Sequence, residues 1–174
     1  MKNAKKGFTL IELIVVIAII GVLAAILVPS MLGYVRKSKI SSANSAASSI
    51  QKAINTALTE MDEETENGAD ITQIAREKGD PAVASGDGFT DDGTCWKKIQ
   101  HYMDKAKGCA FLAECDGGAA VAVAVALDSK YTGTYPSGVV TVDNYKDYCA
   151  PAGVADLDDA LAEAKTKVPA TDEG

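Results

Sequence analysis

KKGFTLIELIVVIAIIGVLAAILVPSMLGYV, residues 5–35, is the stretch that decides how this chain folds. The 23 residues from Leu13 to Val35 carry no charge. A helix of that length rises about 35 Å, enough to cross the roughly 30 Å hydrocarbon core of a bilayer. A carboxylate costs about 2.5–3.5 kcal/mol at the bilayer centre and less towards the interface. The stretch therefore predicts a membrane-spanning helix in which Glu12 has a partner.

Two ordinary explanations of this stretch are weaker. A secretory signal peptide has an apolar region of about 7–15 residues before a small-residue cleavage site, whereas this run is longer and Ala24-Ala25 is a poor site. A plain signal anchor is the second possibility. Basic residues lie on both sides of the segment, so the positive-inside rule does not fix its direction.

The residues around Gly7 support a third and more specific interpretation. A short basic leader precedes Gly7, and the residues after it keep fixed offsets before a long apolar run. This pattern resembles the class III prepilin signal of type IVa pilins and the related pseudopilins, over about the first 35–40 residues. The positions that carry it are Gly7, Phe8, Thr9, Glu12, Gly21 and Pro29.

The resemblance implies processing and assembly at a membrane. A prepilin peptidase cuts between Gly7 and Phe8 on the cytoplasmic side and methylates the new amino group of Phe8. The helix is retained, so Glu12 becomes the fifth residue of the mature chain. The resemblance also implies helix flexibility at Gly21 and Pro29 in a packed fibre, and an inner-membrane assembly platform as a partner.

Glu12 is expected to act in assembly. The ammonium of its own Phe8 lies one helical turn away, but both groups are at a helix start whose positive dipole end disfavours the ammonium. A neighbouring subunit's ammonium is the better match, because an unpaired charge in an apolar filament core is costly. Such pairing would fix the register between subunits, as a buried polar residue does in a coiled coil.

The helix is predicted to continue beyond the apolar segment. After the basic residues 36–39, its apolar positions recur every three or four residues to about residue 60: Ile40, Ala43, Ala47, Ile50, Ile54, Ala57 or Leu58, and Met61. The expected fold is α+β and of the pilin type, with the apolar half projecting and the amphipathic half packed on a small antiparallel sheet. The domains are then a leader (1–7), a transmembrane and filament-core helix (8–35), its amphipathic continuation (36–60) and a globular head (61–174).

The head is predicted to hold three short helices and three or four strands. We expect helices over 70–78, 95–107 and within 153–167, with a loop over 84–94. The strands are expected at 110–114, 119–127 and 139–142, with the turn Asp116-Gly117-Gly118 between the first two. The meander would cover the helix face that carries Ile50, Ile54 and Leu58. Asp87, Asp91 and Asp92 do not have EF-hand spacing, so a solvated turn is preferred to calcium binding.

The cysteines are expected to form disulfides that staple the C-terminal region. Their number is even, and all lie beyond the apolar segment, which suits an extracytoplasmic domain. Cys109 or Cys115 is the preferred partner for Cys149, although the sequence does not rank the three possible connectivities. The four are Cys95, Cys109, Cys115 and Cys149. No metal or cofactor site is expected.

The remaining features favour a structural protein over an enzyme or a nucleic-acid-binding protein. The sequence has no nucleophile motif, phosphate loop or paired carboxylates in a familiar frame, and its net charge is -7. The resemblance implies a major pilin that moves from membrane lipid into a homo-oligomeric surface fibre for adhesion or twitching motility. A pseudopilin of a type II secretion system, or a minor pilin or adhesin, is the alternative.

Overall fold

The structure, a computed structural model, describes residues 8–64, 67–86, 89–128, 130–149 and 157–169. Its elements are α1 (Leu10–Glu63), β1 (Ile71–Arg76), β2 (Val83–Gly86), α2 (Thr94–Tyr102), β3 (Ala110–Asp116), β4 (Ala119–Ala126), β5 (Thr132–Tyr135) and α3 (Asp158–Thr166). Two compact units divide the chain, Met1–Arg36 and Lys37–Gly174. The α+β class predicted from the sequence is confirmed.

The sheet has five antiparallel strands in the order β2-β1-β3-β4-β5. Both of its faces are covered. On β4, Val123 and Val125 point to the cluster that contains α1, while Ala122 and Ala124 point to the cluster that contains α3. The alternation of small and branched residues in β4 therefore separates two buried faces, and the larger side chains pack against α1.

The amphipathic part of α1 supplies about a third of the buried residues of the larger core. Ile50, Ile54 and Leu58 are fully buried, as the spacing predicted. Burial of each such side chain contributes about 1.5–3 kcal/mol. Polar side chains on the same helix hold the sheet: Asn55 Oδ1 accepts from the Ala120 N–H at 2.7 Å, and Asn44 Oδ1 accepts from the Thr134 N–H at 2.9 Å.

The predicted helix over 70–78 is wrong, because β1 occupies this segment. The register of β1 against β2 shifts between Ile71 and Gln73. One extra residue in a bulge brings residues three apart to the same face of a strand, so Ile71 and Ile74 are both buried in the α1-side cluster. This spacing of three produced the helical interpretation.

Two further strand predictions are wrong. Residues 139–142 form bends and turns instead of a strand, although Val139 and Val140 are buried against α3. The fifth strand is Thr132–Tyr135, in the segment expected to be a connection. Residues 84–86 belong to β2 instead of the loop predicted over 84–94.

The helices of the head follow the predictions more closely. α2 ends at Tyr102, and a separate 3-10 helix, Asp104–Gly108, replaces the rest of the predicted helix over 95–107. α3 lies within the predicted range 153–167, and Leu157 and Leu161 are buried. The turn between β3 and β4 contains Gly117 and Gly118, both with positive φ.

At Gly133 the sheet closely approaches α1. A Cβ atom placed on Gly133 would lie 2.1 Å from the carbonyl carbon of Ala43, so only glycine fits between the two backbones. This requirement explains why β5 contains a residue that is otherwise unfavourable in strands.

Gly133→Ala is expected to destabilise the head by about 3 kcal/mol, or about 6–12 °C in Tm, because two backbones must move apart. Gly108→Ala is the matched control: a Cβ there meets nothing within 4 Å, and the change should stay within about 0.5 kcal/mol. Thermal unfolding of the full chain in detergent, followed by circular dichroism, measures both. Equal midpoints for the two variants would contradict the packing described.

Candidate assembly site at the helix N-terminus

The first described residues place a carboxylate at the start of the apolar part of α1. α1 begins at Leu10, directly after Thr9, and Glu12 lies in its first turn. Phe8 is 88% exposed and Leu10 is 76% exposed. Gly7, on one side of the predicted cleavage bond, lies outside the described residues.

Thr9 and Glu12 form a reciprocal capping box. The Thr9 backbone N–H donates to Glu12 Oε2 at 2.8 Å, and the Thr9 hydroxyl donates to the same oxygen at 2.6 Å. In return, the Glu12 N–H donates to Thr9 Oγ1 at 3.4 Å. A Thr-x-x-Glu sequence at a helix start is the usual signature of this arrangement. Glu12 therefore has a partner within its own chain.

The capping box satisfies the hydrogen bonds of Glu12 but not its charge. Among the described residues, both bonds that the carboxylate accepts end on Oε2, and neither donor is a cation. The positive end of the α1 dipole compensates the charge in part. In an apolar environment, a cation beside this carboxylate would compensate the rest of the charge.

The sequence analysis identified Glu12 but missed the role of Thr9. The signal was present, because a threonine three residues before a glutamate and next to an apolar run predicts a capping box. The resemblance to pilins includes Thr9 but does not by itself give it a role. In the structure, Thr9 positions the Glu12 carboxylate through these hydrogen bonds.

The helix surface that follows this cap is apolar on every side. All residues from Phe8 to Lys39 are exposed, and the large apolar ones among them extend from Phe8 to Val35. Among the described residues, α1 is the helix that is long and apolar enough to cross a membrane. Water is a poor solvent for such a surface, so lipid or other apolar helices must cover it.

Gly21 and Pro29 lie within this apolar surface without interrupting the helix. Residues 10–63 are helical throughout, with Pro29 inside. A Cβ on Gly21 would meet nothing within 4 Å, so packing within one chain does not require glycine there. The predicted flexibility at these positions concerns a packed fibre and stays a prediction.

The aspartates of the loop before α2 have local structural roles. Asp91 Oδ2 accepts from the Ala84 N–H at 2.7 Å, and Asp92 Oδ1 accepts from the Thr94 N–H at 2.8 Å at the start of α2. Asp87 lies outside the described residues. In the part of the chain that the structure describes, no three metal-ligating side chains come together.

Three of the four cysteines lie in one core cluster. Cys95, Cys109 and Cys115 are buried in the α1-side cluster, while Cys149 is half-buried, with its Sγ 3.6 Å from the Lys130 carbonyl oxygen. All four described thiols are free in this structure, so the predicted disulfides stay a prediction.

Arg76 and Trp96 are further residues that the sequence analysis did not connect. Arg76 is buried at the end of β1 and donates from Nη1 to the Cys109 carbonyl. Its guanidinium carbon lies 4.8 Å from the centroid of the Trp96 ring, a cation–π contact. Burial lowers the pKa of Arg76 below its usual range. Trp96 and the neighbouring Cys95 are both buried.

The comparisons with known proteins concern mainly the N-terminal segment. The family model described as "Prokaryotic N-terminal methylation motif" matches residues 2–28. A type IV major fimbrial protein FimA of Dichelobacter nodosus is 48% identical over 58 residues, which cover 33% of this chain and 37% of that protein. Another FimA protein of the same organism is 38% identical over 89 residues, 51% of this chain and 56% of that protein.

A fimbrial protein of Pseudomonas aeruginosa is 45% identical over 58 residues, which cover 33% of this chain and 38% of that protein. The chain thus matches between about a third and just over half of the length of these curated relatives. No solved structure matches. These findings confirm the resemblance to type IV pilins stated from the residues.

Thr9→Ala is expected to weaken the start of α1 by about 1 kcal/mol, because the capping hydroxyl is lost. Amide hydrogen exchange in the first turn of the full chain in detergent micelles should speed up about fivefold. Thr9→Ser retains the hydroxyl and is the control, with exchange near the wild-type rate. Identical exchange in Thr9→Ala and Thr9→Ser would show that the hydroxyl does not cap the helix.

Proposed function

We propose that this chain, whose N-terminal segment is that of a type IV pilin, is a major pilin: the structural subunit of a type IV pilus. The observation that carries the proposal is the exposed apolar surface from Phe8 to Val35, which begins at a capped carboxylate. The relatives' printed names describe major fimbrial proteins. These names favour a major pilin over a pseudopilin or a minor pilin.

In this proposal the subunit occupies two apolar environments, one before assembly and one after it. Before assembly, lipid covers the helix over 8–35, which has the length to span the bilayer. After assembly, the same surface packs against copies of itself in a homo-oligomeric helical filament on the cell surface. Because the same side chains are covered in both states, the hydrophobic contribution changes little between them, and polar groups decide the register.

Glu12 is the polar group proposed to set that register. In the single chain, Thr9 supplies its hydrogen bonds. In the filament, the ammonium of Phe8 from a neighbouring subunit supplies the missing positive charge. A pair of this kind in an apolar core has to be complete, since removal of one partner leaves an uncompensated charge at a cost of about 3–5 kcal/mol.

Cleavage between Gly7 and Phe8 is a precondition of this pairing. The amino group of Phe8 is part of a peptide bond until the leader is removed, and a peptide N–H carries no positive charge. The proposed prepilin peptidase therefore creates the cation on which assembly depends. Methylation leaves that amino group basic, so the pairing is retained.

The first test removes the charge of Glu12 while keeping its cap. A glutamine at position 12 can still complete a capping box, whereas an alanine cannot. If the charge serves assembly, Glu12→Gln and Glu12→Ala both lose sheared surface filaments, because each forfeits about 3–5 kcal/mol at every subunit contact. Immunoblotting of the sheared fraction measures the loss.

The control for this test is Glu163→Ala, which removes an exposed carboxylate from α3 and should leave filament yield unchanged. The mass of the membrane-bound chain checks that both Glu12 variants are still processed. Wild-type filament yield from Glu12→Gln would contradict the proposed ion pair and leave only the capping box as the role of position 12.

A second test concerns the cleavage site. Gly7→Val places a branched side chain at the proposed peptidase site, so the chain should keep residues 1–7 and lack the methyl group on Phe8. Intact-mass measurement of the membrane fraction shows both changes. Gly33→Ala is the control, since a Cβ there meets nothing within 4 Å. A Phe8 terminus in the Gly7→Val variant would refute the assignment of the site.

A further inference from the structure

We propose that Cys95 and Cys115 form a disulfide that joins α2 to β3 in the core of the head. The inference rests on the proposed function in one respect, because that function places the head in an oxidising compartment. Both side chains lie in the cluster on the α1 side of the sheet, and they are only 1% and 4% exposed.

The strand register excludes a bond between Cys109 and Cys115. Cys109 has an extended backbone immediately before β3, and Cys115 is the last residue but one of that strand. Six residues of extended chain span roughly 20 Å, whereas bridged cysteines have Cα atoms less than about 7 Å apart. This excludes the connectivity in which Cys109 bonds Cys115 and Cys95 bonds Cys149.

The register also excludes a bond between Cys115 and Cys149. The Cys149 Sγ lies beside the Lys130 carbonyl, just before β5. β5 begins at Thr132, which is opposite Ala126, and Ala126 is opposite Ala110. Cys149 thus lies at the Ala110 end of β3, roughly 16 Å or more from Cys115 along the strand. Of the three complete connectivities, the one that remains joins Cys95 to Cys115.

The contacts of α2 hold Cys95 over the face that carries Cys115. Trp96, the next residue, packs against Phe111 of β3 with ring centroids 6.4 Å apart, and Phe111 shares its strand face with Cys115. Lys98 Nζ, one turn further, lies 3.3 Å and 2.6 Å from the carboxylates of Glu60 and Glu64. α2 is therefore attached at two points to neighbours on this side of the sheet.

The two thiols also interact electrostatically. Burial raises the pKa of each to about 12, and the proximity of Cys95 adds to the increase at Cys115. Since thiolates are the reactive species in exchange, the folded thiols react slowly at neutral pH. The bond is therefore expected to form during folding, before both groups are buried.

Formation of the bond is a two-electron oxidation. Each thiol loses a proton and one electron, and the new S–S bond joins the two sulfur atoms. The electrons reduce a partner disulfide to two thiols: that of an extracytoplasmic thiol–disulfide exchange protein in the cell, or glutathione disulfide in the test.

The test maps the bond in the full chain, without filaments. The chain is reduced in denaturant with detergent, refolded in a glutathione redox buffer and alkylated. Trypsin with a glutamate-specific protease then separates the four cysteines into peptides 79–97, 108–114, 115–130 and 147–163. We expect peptide 79–97 linked to 115–130, with loss of alkylation at Cys95 and Cys115.

Serine substitutions of single cysteines test which two thiols form the bond. Cys95→Ser should restore alkylation of Cys115, and Cys115→Ser should restore that of Cys95, while Cys149→Ser as the control retains the link. A link between peptides 115–130 and 147–163, or full alkylation of Cys95 and Cys115 in the refolded chain, would overturn the inference. A mapped link in a chain that makes no filaments would instead overturn only the proposed function.

Discussion

A single carboxylate at the start of the uncharged first part of α1 is the constraint on which the rest of this molecule depends. The segment after Glu12 is exposed and apolar to Val35, so it needs an environment other than water. In that environment the charge of Glu12 is costly unless it is compensated. Thr9 supplies hydrogen bonds but no positive charge. Under the proposed function, the amino group of Phe8 from a neighbouring copy of the chain supplies that positive charge.

One continuous helix, α1, has two parts with different surfaces. Up to Lys39 every residue of α1 is exposed, and from Ile40 its apolar residues are buried at spacings of three and four. The sheet approaches this second part so closely at Gly133 that a side chain has no room. Asn44 and Asn55 bond the backbones of β5 and β4, which fixes the register of the helix against the sheet.

The sequence predicted those features that depend on a regular period or a local motif. The buried stripe of α1, the turn at Gly117 and the C-terminal helix are examples. It misplaced β1 because a bulge gives Ile71 and Ile74 a helical spacing, and it placed a strand at Val139 and Val140 because hydrophobicity reports burial, not backbone geometry. Two other features depend on contacts between distant segments, which a local pattern does not report. They are β5, where Gly133 fits against α1, and the contact of Arg76 with Trp96.

The central claim is that Glu12 exchanges a purely local partner for a cationic one when subunits assemble. A helical reconstruction of sheared filaments by electron cryomicroscopy measures this directly, as the distance from the Glu12 carboxylate to the nearest Phe8 nitrogen. The account predicts a distance within about 4 Å, to the Phe8 nitrogen of a neighbouring subunit. A Glu12 carboxylate that bonds only its own Thr9, with the Phe8 nitrogen of every neighbouring subunit more than about 10 Å away, beyond one Debye length in salt solution, would contradict it.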